Sequence, residues 1–498
     1  MTFNFTDLVV ILPELVVVGG GCLVLILDLI LPKGQKDLLA YLSLMILLLA
    51  FYGTYRMATS PVTDAFSGMF ILDPFSSFFK ILLYLATALT ILLSIRYLEV
   101  ERIHLGEYYA FILFATSGMM VMVSGGDLIT IYLGLELMSL SLYILAGFKR
   151  YERRSIEAAA KYFVLGSFSS GVLLFGISLL YGLSGTTQLK DMGRVFQNLQ
   201  VDGGPALFLA MILLVVGFGF KVAAVPFHMW TPDVYEGAPT CVTAYMSVAT
   251  KAASFAAFLR VFVEALGSIE ESWKTLLIVL CVATMVVGNV VAIVQTNIKR
   301  MLAYSSIAHA GYALIGMVVG SDLGIFSLML YMVVYAFMNL GAFGVVILLR
   351  KADVSGSSGV GERSPPQADS GGEEIADFTG LARNHRLAAF VMMVFMLSLT
   401  GIPPTAGFVA KFYIFMAAVD AGLVWLAVVG VLLSAVSAYY YLRIVMLMYM
   451  KEPEVLVKLT VSPAVTVALW VAVLVILGLG VYPSPLVEYA QSALLNPP

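Results

Sequence analysis

LFLAMILLVVGFGFKVAAVPFH, residues 207–228, is an apolar run of membrane-spanning length that carries a single lysine and meets a proline near its end. A helix of about 20 apolar residues crosses a bilayer. Pro226 lacks a backbone donor and breaks the helical hydrogen-bond ladder. Irregular backbone at membrane depth is tolerated only inside protein or beside a water-filled cavity. The stretch therefore predicts a broken transmembrane helix whose Lys221 faces the interior of a helix bundle.

The composition places the whole chain in the membrane class. Of its 498 residues, 61% are hydrophobic and 12% are charged, whereas a soluble domain carries about 25% charged residues. The net charge of -3 leaves no basic field that would attract nucleic acid. The three cysteines, Cys22, Cys241 and Cys281, stand singly in apolar runs. That pattern predicts helix-packing side chains, with no disulfide framework and no metal site.

Apolar runs separated by polar and turn residues predict an all-α polytopic membrane protein of about fourteen transmembrane helices. The predicted spans lie near residues 7–30, 38–57, 74–97, 107–124, 127–148, 157–183, 205–226, 238–265, 273–296, 301–319, 324–350, 387–418, 423–449 and 460–481.

Basic residues alternate between the predicted loops. Loops after even-numbered spans carry only Arg56, Lys190, Arg194 and Lys274, and loops after odd-numbered spans hold the other loop lysines and arginines. The positive-inside bias then places the odd-numbered loops in the cytoplasm and both termini outside. No mitochondrial or chloroplast presequence is apparent, so we expect a bacterial plasma membrane.

A second apolar run, 387–418, is interrupted like the first, at GIPPTAG, residues 401–407. The two broken runs are the fourth members of two five-helix sets, spans four to eight and nine to thirteen. Since five is odd, the second set starts from the opposite side of the membrane. This arrangement is typical of inverted-repeat transporters; the alternative is two ordinary proline kinks.

The predicted organisation follows from these repeats. It comprises N-terminal helices 1–3 in residues 1–106, a first antiporter-like repeat in 107–265, an inverted second repeat in 266–450 and a C-terminal helix in 451–498. Residues 352–384 inside the second repeat are rich in Gly, Pro and Ser, and we expect them to form a flexible cytoplasmic linker.

Six predicted spans hold ionisable residues away from their ends, and these residues are the candidate site: Glu136, Lys161, Lys221, Lys251, His309 and Lys411. A lysine at the bilayer centre costs about 2.5–3.5 kcal/mol on insertion scales, so these groups must face the bundle interior and find partners. We expect Glu136 and Lys221 to pair. A buried lysine can exchange a proton near neutral pH, whereas an arginine stays charged. The set therefore predicts a proton path across the membrane.

Other interpretations stand beside this one. Lys161 lies near a helix start, where its side chain can also reach the interface, and His309 can also be a hydrogen-bonded core residue. We expect Lys80 and Arg260, near span ends, to extend towards the membrane surface. Interface or lipid-facing positions are expected for Glu14, Asp28 and Tyr439-Tyr440-Tyr441.

Recognised cofactor motifs are absent from the sequence. It contains no Gly-x-Gly-x-x-Gly after a strand, no Walker loop and no cluster of cysteines and histidines. We therefore expect no cofactor in this chain, and an ion gradient or partner subunits as the source of energy for transport.

Four stretches carry a resemblance to a known family. They are GLELMSL at 134–140, KVAAVPFHMWTPDVYEG at 221–237, MLAYSSIAH at 301–309 and GIPPTAGF at 401–408, which precedes Lys411. Over nearly its whole length the chain resembles the antiporter-like membrane subunits of the proton-pumping NADH-quinone oxidoreductase, respiratory complex I, and among them the subunit N family.

The resemblance implies a role for most of the candidate residues. Glu136 and Lys221 match the family's charge pair, Lys161 matches the lysine that modulates this pair, Lys251 matches the central lysine, and Lys411 matches the residue of the outward half-channel. Lysine at position 411 is typical of subunit N, whereas subunit M has glutamate there.

The resemblance also implies the setting of the chain. NADH, FMN, iron–sulfur clusters and quinone would be bound by other subunits, and the partners of this chain would be other membrane-arm subunits, the lipid bilayer and protons, with no nucleic acid. Two alternatives remain open: a subunit of a multi-component cation/proton antiporter, and a membrane scaffold whose buried charges are inert.

Overall fold

The computed structural model describes residues 5–58, 62–198, 204–351, 372–453 and 457–495. Its α-helices are α1 (Phe5–Val10), α2 (Leu12–Ile30), α3 (Asp37–Met57), α4 (Pro74–Val100), α5 (Glu107–Ser124), α6 (Leu128–Ala146), α7 (Arg153–Ser184), α8 (Leu189–Asn198), α9 (Pro205–Val222), α10 (Trp230–Gly237), α11 (Thr240–Arg260), α12 (Glu270–Ile293), α13 (Ile298–Val319), α14 (Asp322–Leu348), α15 (Leu381–Asn384), α16 (Arg386–Thr400), α17 (Ala406–Asp420), α18 (Val424–Met450), α19 (Pro463–Val481) and α20 (Ser484–Ser492).

Short elements complete the described chain. A π-helical turn, Val261–Ala265, continues α11, and 3-10 turns lie at Lys33–Gln35, Gly267–Ile269 and Ile375–Phe378. Two antiparallel strand pairs join β1 (Thr63–Ala65) to β2 (Phe70–Leu72) and β3 (Leu349–Lys351) to β4 (Val457–Leu459).

The prediction of an all-α protein with about fourteen membrane spans is confirmed. Within the described ranges, 13 helices are long and apolar enough to cross a membrane. The remaining predicted span, 387–418, consists of α16 and α17, which have 15 residues each and flank a break at 401–405. The division of the helices into two inverted repeats, and the domain boundaries drawn from it, stay predictions.

Three helices form the centre of the bundle. Nearly every residue of α11, α13 and α14 is buried, and these helices pack on one another. Peripheral helices instead expose large apolar side chains, such as Leu48 on α3, Phe168 on α7 and Leu474 on α19. Such surfaces suit a lipid environment, where burial from water does not require contact with protein.

Glycines let neighbouring helices approach closely. A Cβ added at Gly118 of α5 or at Gly134 of α6 would lie 2.6 or 2.7 Å from the carbonyl oxygen of the other glycine. Gly288 of α12 and Gly311 of α13 face the backbone of the opposite helix in the same way. Only three residues join α5 to α6, and one of them, Asp127, caps α6 by accepting hydrogen bonds from two free backbone amides.

The loops meet at two ends, as the span count predicts. The β1–β2 hairpin, α8, the turn 266–269 and the segment at Leu494 and Leu495 contribute residues to one cavity, and all of these segments follow even-numbered spans. At the opposite end Arg350 and Lys149 both pair with Glu101, and all three follow odd-numbered spans. We call the first end the outward face and the second the inward face, following the positive-inside prediction.

Part of the predicted linker is folded. Residues 352–371 lie outside the described ranges. Residues 372–384 form a 3-10 turn and α15, and the backbone of Glu373 accepts a hydrogen bond of 2.7 Å from Ile298 N. Lys299 also pairs with Glu373 at 3.2 Å. Flexibility was therefore the wrong expectation for 372–384, because backbone pairing with the start of α13 orders a polar sequence.

Candidate functional site

At the break after α9, nearby side chains form hydrogen bonds with backbone groups that lack helical partners. Helix α9 ends one residue after Lys221, and the last turn leaves carbonyl oxygens without helical donors. The indole of Trp230 donates a hydrogen bond of 3.0 Å to the carbonyl of Phe220, and Thr284 accepts one of 2.9 Å from Val225 N. These contacts hold Lys221 in place at the end of a half-helix inside the bundle.

Lys221 does not contact Glu136 directly. Its buried ammonium group donates a hydrogen bond of 2.8 Å to Ser139 Oγ. Ser139 lies one turn after Glu136 on α6, so both side chains project from the same face. Glu136 Oε1 is buried, and within the described chain it has no hydrogen-bond partner. The expected ion pair is therefore absent here, because a neutral hydroxyl group holds the lysine one turn away from the carboxylate.

Lys161 lies at the inward rim of the bundle. Its side chain is 42% exposed and pairs with Asp233 at 2.7 Å and Glu157 at 2.9 Å. Arg300 also donates to Asp233, at 2.8 Å. Partial burial alone would raise the pKa of Asp233, but the hydrogen bonds from Lys161 and Arg300 outweigh it and lower this pKa. The structure therefore supports the interpretation in which the Lys161 side chain reaches the membrane interface, and not the one in which it is buried in the bundle.

Lys251 lies in the middle of α11 and is bonded to a neutral partner. Its side chain is buried, and Nζ donates hydrogen bonds of 2.6 Å to both the carbonyl and the hydroxyl oxygen of Ser306 on α13. No ion pair involves Lys251 among the described residues. A buried ammonium without a carboxylate is costly, so this site favours exchange between the protonated and neutral forms.

His309 joins three helices through tyrosine hydroxyl groups. On α13, Nδ1 lies 2.6 Å from the hydroxyl of Tyr331 on α14, and Nε2 lies 3.1 Å from the hydroxyl of Tyr441 on α18. The hydroxyl of Tyr441 also bonds to Ser305, next to the serine that holds Lys251. Hydroxyl and imidazole groups both donate and accept, so this chain of contacts can pass a proton. His309 is therefore hydrogen-bonded on both ring nitrogens, and its role in proton transfer stays a prediction.

Lys411 lies at the second break. Its ammonium group donates to the carbonyl oxygens of Leu399 at 3.0 Å and Thr400 at 2.8 Å, and to Ser434 Oγ at 2.8 Å. Those carbonyls belong to the last turn of α16, which carries a partial negative charge. The ring of Tyr312 lies 5.0 Å from the ammonium group. The broken helix thus supplies the acceptors for a buried cation.

One face of α13 connects these sites. Ser305, His309 and Tyr312 recur at helical spacing, so they project from the same side. Tyr312 also accepts a hydrogen bond of 3.0 Å from Asn289, whose carbonyl oxygen accepts one of 3.0 Å from Tyr440. The structure therefore brings Lys251, His309 and Lys411 onto one polar seam, while Lys161 stays outside it and Glu136 with Lys221 forms a separate cluster.

The sequence patterns did not predict that several tyrosines belong to this buried seam. Tyr440 and Tyr441 are buried, and only Tyr439 of that triplet is exposed as expected. A signal was present, because Ser434, Ser437 and Tyr441 recur on one face of α18. Polar residues at helical spacing in an apolar helix mark a buried face.

Some polar atoms around Lys251 lack protein partners. Within the described chain these include the hydroxyls of Tyr235 and Tyr335 and the carbonyl oxygen of Asn339. Buried polar groups are almost always hydrogen-bonded to protein or to ordered water. These positions can therefore accommodate water beside the lysine.

Three charged side chains expected to extend towards the membrane surface are buried against neighbouring helices instead. Lys80 and Glu14 form an ion pair of 2.6 Å inside the bundle, and both are almost fully buried. Arg260 is completely buried and pairs with Asp73 and Glu264, each at 2.9 Å. The expectation that Lys80 and Arg260 extend to the surface was wrong, because each has an acidic partner at the same depth.

No metal site is found in the part of the chain that the structure describes: no group of three His, Cys, Asp or Glu residues there could hold a metal ion.

Comparison with known proteins matches the chain over nearly its whole length. Residues 125–437 match the family described as "NADH:quinone oxidoreductase/Mrp antiporter, TM", and residues 1–96 match "NAD(P)H-quinone oxidoreductase subunit 2 N-terminal". NADH-quinone oxidoreductase subunit N 2 of Rhizobium meliloti is 49% identical over 97% of this chain and 96% of its own length.

Two solved structures have the same fold. A chain of respiratory complex I from Thermus thermophilus is 31% identical with a TM-score of 0.79, over 96% of this chain and 99% of that chain. A chain of the Mrp complex from Dietzia sp. superposes with a TM-score of 0.82 at 19% identity, over 99% of this chain and 97% of that chain. At that identity the second likeness establishes the fold alone.

Proposed function

The chain belongs to the subunit N family of NADH-quinone oxidoreductases, and from that membership we propose that its buried residues from Glu136 and Lys221 through Lys251 to Lys411 move protons across the membrane. It is a multi-pass membrane subunit of a proton-translocating oxidoreductase. NADH oxidation and quinone reduction take place in partner subunits, which carry the cofactors. Its neighbours are other membrane-arm subunits of the complex.

One observation carries the proposal: among the described residues, the hydrogen-bond partners of the buried amines of Lys251 and Lys411 are all neutral oxygens. A fixed structural charge would be expected beside a carboxylate, since an unpaired buried charge is costly. An amine on neutral oxygens can lose its proton and keep a hydrogen bond. His309 and its tyrosine partners lie between the two lysines and supply groups that relay the proton.

The cluster of Glu136 and Lys221 controls the electrostatic potential that acts on Lys251. In this structure Lys221 rests on Ser139, and Glu136 has a free oxygen one turn away. Movement of the ammonium group from Ser139 to Glu136 would close the pair and withdraw a positive charge from the path towards Lys251. Lys161 would act on this cluster only through the inward rim, where it holds Asp233 beside the broken helix.

The energy that this gating must supply has a lower bound. Moving one charge against 100 mV requires about 2.3 kcal/mol. Opening and closing of the Glu136–Lys221 pair must change the proton affinity of Lys251 by at least that amount.

The position of the membrane follows from the loop charges. We infer a bacterial inner membrane with the inward face in the cytoplasm, because the loops at that face hold most of the lysines and arginines.

A subunit of a cation/proton antiporter is the second candidate, since the Mrp chain shares the fold. The 49% identity with a subunit N favours the oxidoreductase. Copurification in mild detergent separates the two: the oxidoreductase would bring flavin colour and NADH oxidation, and the antiporter would be colourless and support sodium-dependent proton exchange.

Reconstitution of the complex tests the proposed function. We expect the Lys221→Ala complex to assemble with its flavin but to take up no protons into liposomes when NADH and a soluble quinone are added. Lys274→Ala, which removes a lysine at the outward surface paired with Glu270, is the matched control. Proton uptake by Lys221→Ala at the wild-type ratio to NADH would sink the proposal.

A further inference from the structure

The short helix α10 packs against three longer helices, α7, α11 and α13, which carry Lys161, Lys251 and His309. Most of α10 is buried, and its buried residues are Trp230, Thr231, Pro232, Val234 and Tyr235. Asp233 and Glu236 are three positions apart and project together from the remaining, partly exposed face. The helix therefore has one face inside the bundle and one charged face at the inward rim.

Trp230 connects α10 to the end of the broken helix α9. Its indole N–H donates a hydrogen bond of 3.0 Å to the carbonyl of Phe220, and the two rings stack with centroids 5.2 Å apart. The ring of Phe220 lies 5.6 Å from the ammonium group of Lys221, within the range of a cation–π contact. Movement of that ammonium group from Ser139 towards Glu136 therefore acts on a residue that is bonded to α10.

Tyr235 brings the same helix to the Lys251 site. Its ring is nearly perpendicular to that of Trp230, with centroids 6.0 Å apart. Its buried hydroxyl group lies near Ser306, the side chain that accepts a hydrogen bond of 2.6 Å from Lys251. Within the described chain the Tyr235 hydroxyl has no hydrogen-bond partner. A small shift of α10 is therefore sufficient to make a hydrogen bond between Tyr235 and Ser306.

The charged face of α10 is held by two neighbouring helices. Arg300, near the start of α13, donates to Asp233 at 2.8 Å and to Glu236 at 2.9 Å. Lys161 of α7 pairs with Asp233 at 2.7 Å. Because these contacts lie along one face, they form an axis about which the helix can turn as a rigid unit. Such a turn moves both ends of the buried face together.

We propose that α10 transmits the movement of Lys221 to the hydrogen bonds of Lys251. The contacts that transmit it form a continuous series: Lys221, Phe220, Trp230, Tyr235, Ser306 and Lys251. When Tyr235 donates to Ser306 Oγ, it occupies a lone pair of the oxygen that binds the ammonium group, so Lys251 releases its proton more readily.

Trp230 and Tyr235 are positioning residues, because they act on the proton through Lys221 and Lys251. The inference rests on the proposed function, since it explains how the first cluster controls the central lysine.

Removal of one hydroxyl group in the whole complex tests the proposal. Tyr235→Phe keeps the ring and its contact with Trp230, and we expect proton uptake per NADH in liposomes to fall at least threefold. Flavin content and subunit composition should stay at wild-type levels, whereas damage to packing would lower them together with uptake. Tyr109→Phe is the matched control, because its buried hydroxyl also lacks a partner within the described residues but lies on α5.

A double variant tests whether Trp230 and Tyr235 act in one series. Trp230→Phe keeps an aromatic ring but removes the N–H that binds Phe220, and it should also lower uptake per NADH. The variant with both substitutions should be no worse than the worse single one, because both interrupt the same route. Effects that multiply would show two independent packing losses and would overturn the series.

The axis at the charged face is tested by a conservative pair of variants. Asp233→Asn removes the charge that Arg300 and Lys161 bind, and we expect uptake per NADH to fall at least twofold. Asp233→Glu keeps that charge and should restore most of the loss. An equal loss in both variants would contradict the anchoring role of the carboxylate.

The coupling by α10 and the proposed function fail in different ways. Wild-type uptake in Tyr235→Phe and Trp230→Phe, with none in Lys221→Ala, would overturn the role of α10 and leave the proposed function intact. Wild-type uptake in all three variants would overturn both.

Discussion

The ammonium group of Lys221 donates a 2.8 Å hydrogen bond to Ser139 Oγ, one helical turn away from Glu136. In this contact a neutral hydroxyl group binds an ammonium group that the sequence predicts to pair with a carboxylate. The lysine therefore has two candidate acceptors on one face of α6, and the difference between them is a full unit of negative charge.

Removal of the neutral acceptor should disturb proton transfer. Ser139→Ala leaves Lys221 with Glu136 as the remaining acceptor on that face, so the pair should stay closed. A buried hydrogen bond contributes about 0.5–1.5 kcal/mol, which corresponds to a roughly 2- to 10-fold slower NADH-driven proton uptake. Ser141→Ala on the same helix is the control, since in the described part of the chain its hydroxyl donates to the carbonyl of Leu137 on its own helix. Equal rates for the two variants would contradict the role of Ser139.

The tyrosine–histidine chain should be needed for transfer between the two lysine sites. His309→Phe keeps an aromatic ring but removes both nitrogens that contact Tyr331 and Tyr441. We expect proton uptake per NADH to fall more than tenfold, with normal assembly. His385→Phe is the comparison, because that histidine lies outside the seam and bonds to the backbone of Val457. Uptake near the wild-type value in His309→Phe would show that protons bypass this residue.

Lys411 should need a side chain that can release its proton. Lys411→Arg keeps the positive charge and the carbonyl acceptors of α16 but cannot become neutral in a protein. Proton uptake should therefore be lost while the complex assembles. Lys274→Arg, at a surface position, should behave as wild type. Full uptake by Lys411→Arg would mean that Lys411 holds a fixed charge.

A charge cluster at the inward face should make stability depend on pH. Glu101 pairs with Lys149 at 2.8 Å and with Arg350. Burial alone would raise the pKa of Glu101, but the two cations outweigh it and lower this pKa below the ordinary value of 4.5. The contribution of the Glu101 ion pairs to the free energy of unfolding is therefore complete above about pH 4.5, and it is lost as the pH falls through the lowered pKa of Glu101.

The test of this contribution is thermal unfolding in detergent at several pH values. Glu101→Gln should melt below the wild type at pH 7, and the gap should close as the pH falls through the lowered pKa of Glu101, because the wild-type carboxyl then becomes protonated too. Glu99→Gln, an exposed neighbour paired with Arg96, should show little difference at any pH. A gap for Glu101→Gln that is independent of pH would exclude the charge as its cause.

The fold could be predicted closely from the sequence because the length of each apolar segment determines whether it forms a membrane-spanning helix. Spans of bilayer length and the alternation of loop charges are independent signals, and both agree with the helices observed. Breaks near Pro226 and at 401–405 were predicted from proline and glycine chemistry. The folded residues 372–384 were missed because their order depends on pairing with α13, which no local pattern reveals.

The site was predicted in part. Charged groups inside apolar runs are rare, which singled out Glu136, Lys221, Lys251, His309 and Lys411. The structure places these residues inside the helix bundle, and their role in proton transfer stays a prediction. Contacts between helices were not predictable from one sequence. The burial of Lys80 depends on a partner 66 positions away, and the neutral partners of the seam lysines lie on other helices or across a break.

The central claim is that Lys251 carries protons across the middle of the membrane. The most direct test is NADH-driven proton uptake by liposomes that contain the complex with Lys251→Met, which fills a similar volume without an ionisable group. We predict an assembled complex with its flavin and no proton uptake. Uptake at the wild-type ratio of protons to NADH would contradict the account and would leave the buried charges as structural elements of the bundle.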